Sequence, residues 1–221
     1  MASIEALKNI ASQLGNPQGE KGIEMGEMMN VSNLKMIRHS IDLLDIADGD
    51  SILEIGHGNC GHLAYLLSKA NDLRYAGLEI SGLMNSEAAR INRELMETGR
   101  HCFILYDGHN IPYPDDTFDK AFTVNTLYFW EDAGRMLHEL HRVMKPGGRL
   151  NVTFGQEHSM KQMPYTRFGY TLYDTEKLLD IARQTPFTVI NIANGTEAIR
   201  NEVRYYMDRD FTTMSLQKPE L

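Results

Sequence analysis

The sequence predicts an α/β doubly wound fold: a seven-stranded, mostly parallel sheet with an antiparallel C-terminal edge strand, preceded by a helical lead-in. Three observations carry this expectation. Between Ser51 and Phe154, short aliphatic runs alternate with segments of helical period, Gly and Pro clusters separate them, and the first run leads straight into a glycine-rich turn. Such β-then-α repeats close into a parallel sheet with right-handed crossovers.

The elements follow in order. Ser3 to Leu14 places Ile4, Leu7, Ile10 and Leu14 at helical spacing before Gly15-Asn16-Pro17 and Gly19 break the pattern. Leu34, Ile37, Ile41 and Leu44 mark a second helix over Val31 to Leu44. Ser51–Ile55 is a buried strand, Cys60–Ala70 a helix, Leu73–Ile80 a strand, and Ser81–Thr98 a helix capped by Ser81 and ended by Gly99. Strands His101–Tyr106 and Phe118–Val124 flank a Pro-rich loop. A helix over Asp132–Met144 stops at Lys145-Pro146-Gly147-Gly148, and a fifth strand covers Arg149–Phe154. Beyond it, Asp174–Gln184 is helical, and Phe187–Ala193 and Phe211–Leu216 form an antiparallel pair at the sheet edge.

Composition bounds the function. At 221 residues and 25.1 kDa the chain fits one domain, which buries roughly 70% of its unfolded surface without staples. Within it, residues 1–48 are read as lead-in or lid, 50–155 as a cofactor-binding core and 156–221 as a substrate-side insert with the last strands. The net charge of −8 repels phosphate backbones and anionic lipid, so nucleic acid is not an expected partner. Two cysteines, Cys60 and Cys102, suit a reducing compartment, and the cytoplasm is expected. No apolar run reaches the length of a membrane span, and the first twenty residues lack a signal-peptide pattern.

In an open sheet of this kind, ligands bind beyond the carboxyl ends of the strands, where the strand order reverses. The first such loop holds Gly56, Gly58 and Gly61 at the spacing of a nucleotide-binding turn, between Glu54 and a helix. A carboxylate about 20 residues further on takes the ribose hydroxyls of an adenosine in such sites, and Glu79 holds that place. The third strand ends in Asp107-Gly108-His109, a carboxylate able to accept from an adenine amino group. Each feature has a plain structural counterpart: a tight turn, a solvated strand-end acid, and an Asx turn.

Taken together, Ile52-Leu53-Glu54-Ile55-Gly56-His57-Gly58-Asn59-Cys60-Gly61, Gly77-Leu78-Glu79-Ile80-Ser81, the run Asp107 to Asp119 and the link Leu140 to Leu150 resemble the class I S-adenosylmethionine-dependent methyltransferases. The small-molecule branch that includes the ubiquinone and menaquinone C-methyltransferases is the most similar. The resemblance implies a Rossmann-like methyltransferase fold and S-adenosylmethionine as cofactor. It implies that Glu54, Gly56, His57, Gly58 and Gly61 hold the methionine moiety and Glu79 with Ile80 the ribose. Asp107, Gly108 and His109 would hold the adenine, and Asn125 would face the methyl group. An NAD(P)-binding oxidoreductase shares the glycine spacing and the ribose acid. Glu54, however, would then lie beside two phosphates, where like charges cost binding. A cofactor-binding scaffold without catalysis is the third reading.

For the acceptor, a small molecule is expected, because Thr126-Leu127-Tyr128-Phe129-Trp130 after Asn125 lacks the Asn/Asp-Pro-Pro-aromatic signature of many nucleic-acid amine methyltransferases. Gln156–Tyr173 is the expected substrate wall, with His158 as base, since imidazole titrates near neutrality, and Tyr165 as an orienting contact. Packing or a solvent-facing loop is the plain alternative for both. His138 and His141, three apart without a third ligand, read as a surface face, and no metal is expected. Met25, Met28 and Met29 with Asn30 fit a flexible lid or a gap-filling cluster. The chain is expected to be a monomer or homodimer.

Overall fold

The computed structural model describes residues 3–200 and 206–220, so residues 1, 2, 201–205 and 221 of the expected single domain lie outside the described residues. The lead-in is three helices: α1 (Ile4–Gly15), capped by the Ser3 hydroxyl, α2 (Gly19–Ser32) and α3 (Leu34–Asp42). The second helix is absent from the sequence expectation. Its Gly-rich run GEKGIEMGEMMNVS has no apolar stripe, and it is held by packing on its neighbours rather than by its own pattern. Asn33 separates α2 from α3, which corrects the single helix expected from Val31.

β1 (Ser51–Ile55), α4 (Leu63–Leu67), β2 (Arg74–Glu79), α5 (Gly82–Ile91), α6 (Arg93–Met96), β3 (His101–Leu105) and β4 (Phe118–Val124) follow. Then come α7 (Ala133–Val143), β5 (Met144–Gly155), α8 (Glu157–Met160), α9 (Thr175–Ala182), β6 (Thr188–Arg200) and β7 (Tyr206–Gln217). Ser81, Asp132 and Asp174 each accept a backbone N–H as side-chain caps, so α5, α7 and α9 begin where the sequence places them. Several elements differ from expectation, among them β6, which runs on to Arg200 rather than Ala193, and β7, which begins at Tyr206 rather than Phe211, the two pairing along their whole length. α4 is short because Cys60 adopts φ 49° and keeps the preceding residues in a loop. Asn92 splits the expected Ser81–Thr98 helix. β5 begins five residues early, because Met144 pairs with Phe118 before a register shift reaches Lys120 opposite Arg149.

The sheet order is β3-β2-β1-β4-β5-β7-β6. β1 to β5 run parallel, and β7 runs antiparallel to both neighbours, β5 and β6. The antiparallel strand therefore sits one place in from the edge, where it joins β6 to the parallel sheet. Side chains alternate across it. Leu53 and Ala121 face a core completed by Leu137, Leu140 and Leu178, whereas Ile52 and Phe122 face Met36, Ile41, Leu63 and Ala88. Each fully buried aliphatic contributes about 1.5–3 kcal/mol. The order reverses between β1 and β4, which opens the crevice at their carboxyl ends. Among the described residues no helix is long and apolar enough to cross a membrane.

Candidate functional site

The β1–α4 loop turns through Gly56 (φ 71°) and Gly58 (φ 57°), left-handed conformations that glycine adopts without steric cost. Gly56 N–H donates to Leu78 O at 2.7 Å, tying the loop to β2. A Cβ at Gly58 would meet nothing within 4 Å, so its backbone faces open space. At the end of β2, the buried Glu79 carboxylate accepts three backbone N–H bonds, from Gly58 (2.9 Å), Ile80 (2.8 Å) and Ser81 (3.0 Å). Those bonds lock the carboxylate and leave lone pairs for further donors.

A cleft of about 970 Å³, counted out to its open mouth, lies over these residues. Glu54, Gly56, His57, Gly58, Glu79, Ile80, Gly108 and Asn125 all line it. Its other wall comes from the lead-in: Leu14, Gly15, Met29, Asn30, Asn33 and Ile37. Met29 and Asn30 thus stand where a lid would, whereas Met28 is half exposed.

Beneath the loop, Glu54 is only 2% exposed. Its Oε2 accepts from His62 Nε2 at 3.0 Å and from the Tyr75 hydroxyl, and the Cys60 thiol lies 3.2 Å from that hydroxyl. Burial works against charge on His62, yet the adjacent Glu54 carboxylate holds its pKa well above 6.5. Burial pushes the Cys60 thiol and the Tyr75 phenol up. His62 and Tyr75 were not legible as site residues, because neither lies in a motif and only the fold brings them under Glu54.

His57 behaves oppositely. Its Nδ1 donates to Gly58 O at 2.7 Å, Nε2 has no protein partner, and burial outweighs Glu79 and Glu54 to lower its pKa. A buried base with a depressed pKa lends its full stability above 6.5 and loses it as pH falls through the native value, because the unfolded chain takes the proton first. At pH 6.5 the ¹⁵N spectrum is therefore expected to show His57 neutral with the proton on Nδ1. A half-protonated ring there would contradict this environment.

At the end of β4, Asn125 takes φ 59°. Its Nδ2 donates to Asn33 Oδ1 at 2.9 Å and its Oδ1 accepts from the Tyr128 hydroxyl at 3.0 Å. Arg209 Nη2 also donates to Asn33 Oδ1, at 2.9 Å, while its guanidinium pairs with the buried Glu197. Asn33 and Arg209 escaped sequence reading, since they lie far from every strand-end loop in the chain.

Several expected residues are placed elsewhere. The His158 side chain is 64% exposed and pairs with Asp210 at 2.9 Å, outside the cleft lining. The Tyr165 hydroxyl donates to Met163 Sδ at 2.7 Å, also away from the lining, and Tyr165 packs with Tyr170. The Gln156–Tyr173 segment thus lies outside the cleft lining, to which the N-terminal helices contribute instead. Asp107 closes its own turn, accepting from the backbone of His109 (2.8 Å) and Asn110 (2.7 Å), bonds that lower its pKa to about 2. Of that loop Tyr106 and Gly108 reach the cleft, and His109 lies in the adjoining groove, 3.6 Å from Glu131. Gly61 is exposed and packs under Asn30 rather than facing the cavity. His138 bonds its own helix at Gly134 O, and His141 stacks edge-on against Phe187.

Residues 53–152 match the family model described as a methyltransferase domain. The methyltransferase YdaC of Bacillus subtilis (strain 168), itself named uncharacterized, is 30% identical over 128 residues, 58% of this chain and 68% of that protein. The O-methyltransferase resE of Aspergillus sclerotiorum is 24% identical over 191 residues, 80% of this chain and 68% of its own. Among solved structures, a SAM-dependent methyltransferase from Aquifex aeolicus superposes with a TM-score of 0.68 at 16% identity, covering 89% of this chain and 97% of that one. The matched segment runs from β1 into β5 and so carries the glycine loop, Glu79 and Asn125. The chain belongs to the methyltransferase-domain family, as a class I S-adenosylmethionine-dependent methyltransferase.

Proposed function

We propose that the cleft transfers the methyl group of S-adenosylmethionine to a hydroxyl-bearing small molecule. The observation that carries this reading is the convergence of Glu54, Glu79 and Asn125 on one cleft at the strand-order reversal. The cofactor fits these residues: Gly58 presents bare backbone to the space, and Glu79 is fixed with lone pairs to spare. When bound, S-adenosylmethionine supplies an electrophilic methyl group on cationic sulfur.

The Glu54 carboxylate, paired with His62, presents acceptor oxygens in a poorly hydrated floor, which suits a donor-bearing amino acid moiety better than the acceptor-only phosphates of a dinucleotide. Glu79 holds the ribose, with Ile80 beside it, and Gly108 backs the adenine. α2 and α3 cover the cleft and exclude water, so positioning supplies most of the rate. The carboxamides of Asn33 and Asn125 orient the acceptor hydroxyl. His158 and Tyr165, outside the lining, carry no step in this scheme.

The acidic chain and the O-methyltransferase names among the relatives support a small acceptor. So does the motif resemblance to ubiquinone and menaquinone C-methyltransferases. Within this proposal residues 1–48 are the lid and wall of a single domain that works in the cytoplasm as monomer or homodimer.

Calorimetric titration is expected to give saturable S-adenosylhomocysteine binding in the micromolar range and none for NAD. NAD binding with no response to either sulfur ligand would overturn the reading. Cofactor binding without turnover on a broad panel of hydroxylated acceptors, followed with labelled methyl donor, would favour the scaffold.

A further inference from the structure

We propose that Glu54, Cys60 and His62 form a binding site for a thiophilic divalent cation of the zinc class, entered from the cofactor cleft and antagonistic to the cofactor. No metal is expected from the sequence alone, because these residues fall at no recognised ligand spacing.

The three ligand atoms lie within 4.8 Å of one another, and all three residues are buried. Thiolate, imidazole and carboxylate are the donor set zinc prefers. At tetrahedral angles, ordinary zinc bond lengths put neighbouring ligand atoms about 3.4 to 3.6 Å apart. The present separations, 3.0 Å between Glu54 and His62 and 4.0 Å between His62 and Cys60, bracket that range. The Tyr75 hydroxyl lies 3.2 Å from the sulfur and donates to Glu54 Oε2, so it joins the same cluster.

A second observation is independent of these distances. Cys60 holds φ 49°, a conformation that costs a side-chain-bearing residue about 1–2 kcal/mol and glycine nothing. It does so in a loop where glycine already serves at Gly56 and Gly58, and although Cys60 packs in the buried cluster of Met36, Leu63 and Leu66, its sulfur lies 4.0 Å from His62 Nε2 and 3.2 Å from the Tyr75 hydroxyl. Glu54 and His62 also line the cleft, which gives an ion its way in.

Binding breaks the Cys60 S–H bond, forms the sulfur–metal bond and releases the proton through the cleft to solvent. His62 also gives up the proton that its Nε2 donates to Glu54, released by the same route, and the freed Nε2 lone pair binds the metal. The ion and the cationic end of the cofactor both call on the Glu54 carboxylate, which lines the cleft, so cation and cofactor oppose each other reciprocally. That antagonism, unlike metal binding itself, rests on the methyltransferase reading.

The full chain without cofactor, titrated with zinc against a chromophoric chelator, is expected to bind one equivalent. Cobalt(II) is expected to give a near-ultraviolet thiolate charge-transfer band. Cys60→Ala should abolish the band and weaken zinc binding by more than about 100-fold, the upper end of what losing an outer-shell partner costs. Cys60→Gly, which relieves the backbone strain and so keeps the fold, should do the same. No stoichiometric binding by wild type, or a band that survives in Cys60→Gly, would overturn the site. Saturating zinc is expected to weaken S-adenosylhomocysteine binding about 10-fold in wild type and not in Cys60→Gly. Equal affinity with and without zinc would overturn the antagonism, whereas no S-adenosylhomocysteine binding in metal-free protein would overturn the cofactor reading alone.

Discussion

Replacing Glu79 with alanine is expected to weaken S-adenosylhomocysteine binding by about 10- to 150-fold. Hydrogen bonds to a charged group contribute about 1.5–3 kcal/mol, and each 1.4 kcal/mol is a factor of ten. The carboxylate works on both sides of the loop. It would accept from the ligand, and it fixes the backbone of Gly58, Ile80 and Ser81. Glu79→Gln separates these roles: the amide keeps one acceptor oxygen but turns an N–H₂ towards a backbone donor, so an intermediate loss is expected. Calorimetry on folded variants is the measurement. Unchanged affinity in Glu79→Ala would return this residue to the ordinary part of a strand-end acid.

Gly56→Ala is expected to destabilise the protein by about 2–4 kcal/mol, combining a left-handed φ that costs about 1–2 kcal/mol with the overpacking of a full interior. The new methyl would lie 2.2 Å from Thr126 Cγ2. Thr126 cannot swing aside freely, since its hydroxyl bonds Thr123 within the cleft wall. Adding Thr126→Ser removes the obstructing methyl and should restore the packing share, leaving the backbone share of about 1–2 kcal/mol. Denaturant midpoints of the two single variants and the double variant measure the split. A Gly56→Ala midpoint equal to wild type would show that the loop relaxes.

Most strands of the fold were legible because burial on both faces writes itself as aliphatic runs such as Ile52-Leu53 and Ala121-Phe122. Helix starts were legible where a cap residue makes a local bond, as at Ser81 and Asp132. Glu54, Glu79 and Asn125 could be located because the loop after each strand end is short and the sheet fixes where it points. The lead-in side of the cleft was not legible for the opposite reason. α2 has no apolar period, and the contacts that bring Asn33 to Asn125 span 92 residues of chain. Asp107 illustrates a different limit: a carboxylate before glycine serves a turn as well as a ligand, and here three donors of His109 and Asn110 close the turn while an acceptor site is left over, as at Glu79.

The insertion of β7 between β5 and β6 bears on how the molecule is made. During synthesis β5 emerges with β4 on one side and nothing on the other, and β6 follows with no partner at all until Tyr206–Gln217 arrives to pair with both. At about 5–20 residues per second, the roughly 60 residues separating Gly155 from Gln217 take about 3 to 12 s to translate. For that interval Leu150, Val152 and Phe154 stand on an open strand edge, the kind of template that recruits other chains. The sheet is thus closed between β5 and β6 only once β7 has been made, and the nascent protein needs its neighbours kept away until then.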